Sequence, residues 1–260
     1  MQNKQNTAPD LSMVMPCYNE EEILRYTLEK LVSSFNNSNY QLELIAVDNG
    51  SSDLTGDIIQ ELAEEYPAIT PLRVDVNNGY GNGILEGIKV ARAPWVGMIP
   101  ADGQVDAEDV LRLFEAVLSS DGNVVGKVRR RFRMDGLTRK AISSIFNLFV
   151  RSLWPSLESI DINGSPKILP AKLLELMDLQ STNWLLDMEL MIKAHYLNVH
   201  ILELNVFARM RGNGLSHVRA ATCLEFLKYI LIFRFSPSLS YWKKSRFKLV
   251  KQSHSKDSKM

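Results

Sequence analysis

Residues 42–62, LELIAVDNGSSDLTGDIIQEL, contain within one stretch the pattern that decides the fold. The run Leu42–Val47 is apolar enough for a buried strand, and the polar residues 48–53 that follow are typical of a turn. Beyond the turn, Ile58, Ile59 and Leu62 recur at helical spacing. The stretch therefore predicts a strand, a turn and an amphipathic helix, which together make one unit of an α/β fold.

The same unit recurs on both sides of this stretch. We predict further strands at Leu11–Met15, Leu72–Val76 and Trp95–Ile99, with helices between them, the first opened by Asn19 as its N-cap. Strands that alternate with helices of these lengths form right-handed crossovers and a mostly parallel sheet with helices on both faces. Ligands bind such sheets beyond the carboxyl ends of the strands, so we expect the site there.

The second half of the chain is less regular. It predicts strands at 123–128 and 199–207, helices near 137–153, 185–196 and 221–235, and turn residues over 161–170. We therefore expect a flexible N-terminus at 1–10, one domain at 11–220, an amphipathic basic helical extension at 221–251 and a disordered tail at 252–260.

The composition indicates the cellular compartment in which the protein works. The chain has only two cysteines, Cys17 and Cys223, and its first ten residues are polar. Neither a disulfide framework nor a signal segment is indicated. The most apolar run, 221–235, is interrupted by charges and is shorter than the roughly 18 apolar residues that span a bilayer. We expect a reducing, cytoplasmic location.

The formal net charge of +0 hides an uneven distribution. Residues 1–110 contain 6 Lys and Arg against 18 Asp and Glu, so the front half carries −12 and the rest +12. Two solvated surfaces of opposite sign would explain this, and so would two different partners. The second interpretation places a metal–nucleotide near the front and an anionic acceptor or membrane surface near the rear.

Polar motifs follow four of the predicted strands. Each has an ordinary explanation on its own: residues 16–20 can be a helix cap, residues 48–53 a turn and residues 78–83 a glycine-rich loop. Asp48 leaves a buried strand where a base or ribose can be bound, and the glycines at 79 and 81 permit close approach of a phosphate to the helix that follows. Asp102 and Gln104 supply hard oxygen ligands suited to Mg²⁺ or Mn²⁺.

Taken in order, these motifs resemble the family 2 inverting glycosyltransferases of GT-A fold, and most closely the branch of dolichyl-phosphate mannose synthases and bacterial polyprenyl-phosphate glycosyltransferases. The resemblance runs from about Leu11 to His217. It rests on P-x-Y-N-E at Pro16–Glu20, on D-D-G-S-x-D-x-T at Asp48–Thr55 with Asn49 in the second place, and on D-A-D-x-Q at 100–104 with Pro100 in the first place. Weaker matches are Gly164–Lys167, Asp187–Leu190 and Arg211–His217.

The resemblance implies a Rossmann-like GT-A domain that moves a sugar from a nucleoside diphosphate sugar to a polyprenyl phosphate, with inversion. It implies donor-binding roles for Pro16, Tyr18, Glu20, Asp48, Asn78, Gly79, Gly81, Ala101 and Asp102. The implied catalytic residues are Asp102, Arg211 and Glu189. The metal ligands would be Asp102 and Gln104, and the acceptor phosphate would meet Arg129, Arg131, Arg133, Lys167 and Arg211.

Two alternatives stay open. The acceptor could be a sugar hydroxyl of a soluble or lipid-linked glycan, which would need a base such as Asp187 or Glu189. The chain could also be a nucleotide-sugar-binding relative without catalysis, because Pro100 replaces a metal-binding carboxylate.

The basic rear half sets the expected partners. Basic residues lie beside amphipathic, aromatic-rich segments at 129–133, 139–150 and 241–248. A solvated basic face is the ordinary explanation, but an interfacial helix needs this combination. We expect peripheral association with the inner face of an anionic membrane, a lipid phosphate acceptor and no nucleic acid partner.

Overall fold

The computed structural model describes residues 8–133, 136–157, 159, 161–208 and 220–246. Side chains are described throughout these ranges except at 130–133, 136–144, 208 and 220–226. The strands are β1 (Leu11–Cys17), β2 (Leu42–Asn49), β3 (Ile69–Val74), β4 (Trp95–Met98), β5 (Val124–Arg133), β6 (Lys167–Pro170) and β7 (His200–Ala208). The helices are α1 (Glu21–Asn36), α2 (Thr55–Glu65), α3 (Tyr80–Val90), α4 (Ala107–Leu118), α5 (Gly136–Leu153), α6 (Ala171–Met177), α7 (Leu186–Tyr196), α8 (Ala220–Phe235) and α9 (237–246).

The strands form one seven-stranded sheet in the order β3-β2-β1-β4-β6-β5-β7. Every neighbouring pair is parallel except the two that involve β6, which runs antiparallel to both β4 and β5. The mostly parallel sheet predicted from the sequence is confirmed. Strands β1 and β2 are buried along their whole length, as expected for strands covered on both faces.

Two hydrophobic clusters make the core, one on each face of the sheet. One lies under α1, α2 and α4 and includes Leu28, Phe35 and Phe114. The other lies under α3, α6 and α7 and also receives Ile230 of α8 and Trp242 of α9. The helices of the predicted C-terminal extension therefore pack against the domain, although the domain boundaries stay predictions.

Strands β5 and β7 extend beyond the rest of the sheet. β5 pairs with β6 only at Gly126 and Lys127 but pairs with β7 from Val124 to Arg133. A bulge between Arg130 and Phe132 interrupts that pairing and leaves Arg131 without an opposite residue. The part beyond Lys127, here called the β5–β7 ribbon, projects past the carboxyl edge of β4 and presents the arginine-rich segment there.

A buried polar network closes the opposite edge of the sheet. The Glu43 carboxylate, 3% exposed, accepts hydrogen bonds from the Ser12 hydroxyl, from the Arg92 backbone N–H at 3.0 Å and from Arg92 Nε at 2.7 Å. The Ser12 hydroxyl in turn accepts from the N–H groups of Arg92 and Ala93 at 3.1 and 2.9 Å. These bonds fix the turn from α3 into β4.

Two expectations about elements need correction, and two helices were missed. The segment 161–170, predicted as turn residues, contains the buried strand β6, because a four-residue strand that begins with Lys167 and ends with Pro170 has too short a pattern to distinguish. Helices α4 and α6 were not predicted. Asn19 does not cap α1, since Glu20 holds the N-cap position and makes no side-chain cap bond.

Candidate functional site

The loops after β1 and β2 are joined by hydrogen bonds at the carboxyl edge of the sheet. Asn19, in the left-handed region at φ 53°, accepts from the Ser52 N–H at 2.9 Å through its side-chain oxygen. Its own N–H donates to the Ser51 hydroxyl, and the Glu20 N–H donates to Thr55 Oγ1 at 2.9 Å. The residues of the P-x-Y-N-E motif are thus fixed against the second loop, and Tyr18 stays half exposed beside them.

Asp48 is the residue before the last of β2, lies at the same edge and is 3% exposed. One carboxylate oxygen accepts from the Ser51 N–H at 2.9 Å, and the other pairs with the guanidinium of Arg73, the residue opposite it on β3. Reasoning from the sequence missed Arg73, for which the strand register is the only signal. The Arg73 side chain is more than half exposed, and base recognition by Asp48 stays a prediction.

Gly79, just before α3, and Gly81, in its first turn, make close backbone contacts. A Cβ atom on Gly79 would lie 2.6 Å from the Thr182 carbonyl oxygen, and one on Gly81 would lie 2.3 Å from that of Ser181. The Asn82 N–H, in the first turn of α3, donates to Thr182 O at 2.8 Å. In this structure, residues 181–183 occupy the approach that the sequence assigned to a phosphate. The donor-binding roles of Asn78, Gly79 and Gly81 stay predictions.

Asn49 links β2 to the glycine loop. Its side-chain amide donates to Gly79 O at 3.0 Å and to Asn77 Oδ1 at 3.2 Å. A carboxylate has no proton to donate to either oxygen, so the amide accounts for asparagine in the second place of the D-D-G-S motif. Asn49 Oδ1 is buried and has no hydrogen-bond partner.

The segment 100–104 follows β4, between the first two loops and the antiparallel β6. Ala101 is buried, and its carbonyl oxygen accepts from the Thr27 hydroxyl of α1. Asp102 is partly exposed and accepts from the Gln104 N–H at 3.2 Å. The Gln104 side chain is buried, and its Nε2 has no partner.

The donor set at 100–104 fits a metal ion only with help from a ligand. Within the described part of the chain, no three His, Cys, Asp or Glu side chains are grouped so as to hold a metal ion. Mg²⁺ commonly binds one or two carboxylates and takes its remaining ligands from water and substrate phosphates. One carboxylate, Asp102, is compatible with that arrangement.

Three residues predicted to take part in chemistry are buried and already paired. Lys167 is fully buried and forms an ion pair with Asp187. Glu189, 1% exposed, pairs with Lys193 at 2.6 Å and accepts from the N–H groups of Gln180 and Ser181. The roles predicted for Lys167 at the acceptor phosphate and for Glu189 in catalysis stay predictions, and in this structure both side chains are engaged by buried partners.

Burial also shifts the pKa of two further groups, the Cys17 thiol and the Lys127 ammonium group. Burial raises the pKa of the Cys17 thiol well above its ordinary value, and the neighbouring Glu20 and Asp48 raise it further. Burial, and then the charge of Lys167, lower the pKa of Lys127, whose ammonium group donates to Ser159 and Glu203 at 3.0 Å. Cys17 therefore stays a neutral thiol, and Lys127 ties β5 to β7.

The predicted acceptor arginines are only partly described. Arg129 lies on the β5–β7 ribbon with a partly exposed side chain. Arg131 lies at the bulge and Arg133 at the end of β5, and their side chains are outside the described set. Arg211 lies outside the described residues. The backbone thus brings Arg129, Arg131 and Arg133 to the projecting ribbon, beyond the edge where Asp102 lies.

A parallel α/β sheet with polar loops gathered at its carboxyl edge is typical of proteins that bind nucleotides. The family model described as Glycosyl transferase family 2 matches residues 12–192, which is more than half of the chain. The chain belongs to this family.

Relatives and solved structures give the same result. An undecaprenyl-phosphate 4-deoxy-4-formamido-L-arabinose transferase of Photorhabdus laumondii is 33% identical over 54% of this chain, which spans only 43% of that relative. A dolichol-phosphate mannosyltransferase of Pyrococcus furiosus is 26% identical over 85% of this chain and 62% of the relative. The crystal structure of glucosyl-3-phosphoglycerate synthase from Mycobacterium tuberculosis matches with a TM-score of 0.65, at 18% identity, over 87% of this chain and 80% of that one. The fold is the GT-A fold predicted from the sequence.

Proposed function

We propose that this protein transfers a sugar from a nucleoside diphosphate sugar to a polyprenyl phosphate. The observation that carries the proposal is the placement of an acidic donor edge, with Asp48 and Asp102, beside a basic ribbon that carries Arg129. A metal–diphosphate suits the first surface and an anionic acceptor suits the second. The names of the Photorhabdus and Pyrococcus relatives support this acceptor class.

The buried state of the candidate bases favours an acceptor that is already ionised. Asp187 and Glu189, which a sugar hydroxyl would need as bases, are each engaged by a buried lysine. A phosphate oxygen carries its own negative charge and needs no base. In the reaction we propose, this oxygen forms a bond to the anomeric carbon while the bond to the diphosphate breaks, with inversion, and the nucleoside diphosphate leaves with the electron pair.

The charge that builds on the departing diphosphate has to be stabilised. A divalent ion, Mg²⁺ or Mn²⁺, would supply Lewis-acid charge for it, with Asp102 as the main protein ligand and Gln104 as a secondary one. The M. tuberculosis structure was obtained with Mn²⁺ and UDP, which supports a metal in this family. We assign Arg211 a contact with the same phosphates, since a guanidinium binds two oxygens at once.

Transfer to undecaprenyl phosphate in detergent, with a panel of labelled nucleotide sugars, tests the proposal. We expect a lipid-linked product from at least one donor. Arg129→Ala should raise the acceptor KM by roughly ten-fold, because a charge-assisted contact to phosphate is lost. Arg112→Ala is the matched control, since it removes an exposed arginine from α4 whose guanidinium pairs with Asp109 at 2.8 Å.

Efficient transfer to a water-soluble sugar with none to the lipid would replace this proposal by a hydroxyl acceptor. Tight nucleotide-sugar binding without turnover on any acceptor would indicate a non-catalytic relative. An equal effect of the two arginine substitutions would remove Arg129 from the acceptor site.

We further propose that the protein works at the inner face of an anionic membrane. Large apolar side chains are exposed on α5 and α8, including Leu148 at 71%, Ile232 at 54% and Phe235 at 74%. Lys228 and Lys244 are exposed on α8 and α9. Apolar side chains beside cations suit an anionic interface. In the described part of the chain, every helix is too short or too polar to cross a bilayer.

Co-sedimentation with liposomes measures this association. We expect more protein to sediment with phosphatidylglycerol vesicles than with phosphatidylcholine vesicles, and added salt to reduce the difference, because exposed charges are screened. Replacing Ile232 and Phe235 by serine should reduce binding to both kinds of vesicle. The matched control replaces Leu54 and Val76, which are exposed in the N-terminal half of the sequence, and should not reduce binding. Equal sedimentation of all variants with both lipids would contradict the membrane proposal.

A further inference from the structure

Helix α9 is connected to the glycine loop of the donor edge by an unbroken series of contacts. The connection passes through residues 178–185, between α6 and α7, which we call the clamp loop. None of the predicted catalytic roles explains why this loop is held so closely from both sides.

On its inner side, the clamp loop covers the beginning of α3. The Thr182 carbonyl oxygen accepts the Asn82 N–H at 2.8 Å, and the absence of a side chain at Gly81 lets the Ser181 carbonyl approach. Trp184 stacks on Tyr80, the first residue of α3, with ring centres 4.6 Å apart and planes 6° from parallel. The position of α3 is in turn linked to β2, because Asn49 donates to Gly79 O at 3.0 Å.

On its other side, the clamp loop is hydrogen-bonded to Glu189 of α7. The Glu189 carboxylate accepts the Gln180 N–H at 3.1 Å and the Ser181 N–H at 2.8 Å. Because it is 1% exposed, water cannot replace these bonds. Loss of the carboxylate would leave two backbone donors unpaired beside Gly81.

Lys193 joins Glu189 to α9. Its ammonium group lies 2.6 Å from the Glu189 carboxylate and donates to Asp178 O at 2.7 Å. It also lies 5.1 Å from the centre of the Trp242 ring, within the range of a cation–π contact. Trp242 is buried, and its Nε1 donates to Leu176 O at 3.2 Å, just before the clamp loop.

We propose that Glu189, Lys193 and Trp242 are positioning residues, through which α9 holds the clamp loop against α3 and sets the geometry of the donor site. The inference rests on the proposed function for its chemical meaning, since a donor must bind at this edge for the geometry to matter. Substitutions along such contact networks change coupling between sites by roughly 3- to 30-fold in affinity.

Amide hydrogen exchange tests the connection without any ligand. The variants are Trp242→Ala and Tyr241→Ala, which remove neighbouring aromatic side chains from α9, the first facing Lys193 and the second 77% exposed. We expect Trp242→Ala to speed exchange in peptides that cover 78–86 and 179–185, because the first-turn amide of α3 and the amides held by Glu189 lose support. Tyr241→Ala should leave both peptides unchanged. Equal exchange in the two variants would overturn the inference.

Steady-state kinetics with the nucleotide sugar that gives the most product with wild type test the effect on the site. Trp242→Ala should raise the donor KM roughly 3- to 30-fold and change kcat by less than about two-fold. Trp242→Phe, which keeps a ring over Lys193 but loses the N–H, should fall between wild type and alanine. A merely structural role would lower the amount of active protein, and hence apparent kcat, without a change in donor KM, and that result would also overturn the inference.

The two proposals fail in different ways. An inactive wild type contradicts the proposed function, whereas the exchange measurement still decides whether α9 supports α3. An active wild type whose donor KM is unaffected by Trp242→Ala contradicts the positioning role alone.

Discussion

Asp102→Ala is expected to lower kcat/KM for sugar transfer by roughly 100- to 1000-fold, the largest kinetic effect we predict for this protein. Asp102 is the one carboxylate of segment 100–104, since Pro100 occupies the other acidic place of the motif. Groups that stabilise developing charge in a transition state contribute on the order of 3–4 kcal/mol. Without Asp102, the diphosphate would have to hold a metal ion with little help from the protein.

Variants at two positions separate charge from structure. Asp102→Asn keeps the shape and an oxygen for the Gln104 N–H, so a loss close to that of alanine would assign the effect to the charge. Glu108→Ala is the control, because it removes an exposed carboxylate from the first turn of α4. We expect less than about two-fold change there. Activity should also fall on treatment with EDTA and return with Mn²⁺ or Mg²⁺; full activity in EDTA, together with wild-type rates for Asp102→Asn, would disprove the metal assignment.

Glu43→Ala is expected to lower the free energy of unfolding by about 3 kcal/mol, because it leaves buried donors without an acceptor. The Ser12 hydroxyl and the Arg92 N–H both direct their bonds to this carboxylate, which is itself only 3% exposed. Urea unfolding monitored by far-UV circular dichroism measures the change.

Arg92→Ala provides the comparison for Glu43. The Arg92 side chain is 70% exposed, and ion pairs in such settings contribute at most about 1 kcal/mol. Its backbone N–H, which also bonds to Glu43, survives the substitution. A loss at Glu43 no larger than that at Arg92 would mean that the exposed ion pair, and not the buried network, stabilises this edge.

The parts of the fold that were predictable have patterns that repeat over many residues. The strands at 42–49 and 11–17 and the helices after them have long apolar runs or helical periodicity, and the sequence located each within a few residues. Strand β6 was missed because its register is set by β4 and β5, to which it pairs antiparallel, and not by its own four residues. Such a tertiary constraint leaves no local signal.

Some positions of the candidate site could be predicted from the sequence, and others could not. Positions at strand ends, such as Asp48 and Asp102, follow from the parallel sheet alone. Whether a charged residue is open or enclosed depends on partners far away in sequence, as with Lys167 and Asp187 or Arg73 and Asp48. Motif reasoning could therefore place Glu189 near the site, but it could not show that the Glu189 carboxylate accepts hydrogen bonds from the N–H groups of Gln180 and Ser181.

The strand order has a consequence for how the chain folds during synthesis. All pairings among β1, β2, β3 and β4 are made by residues 11–98, so this half of the sheet can assemble once these residues have left the ribosome. β5 has to wait for β6, and then for β7 more than 70 residues later, before its hydrogen bonds are satisfied. Pairings of such sequence separation form slowly, and N-terminal units fold first in a growing chain. We expect nascent chains that end before residue 200 to lack the β7 partner of β5, which leaves that side of the arginine-rich strand open to pairing with other chains.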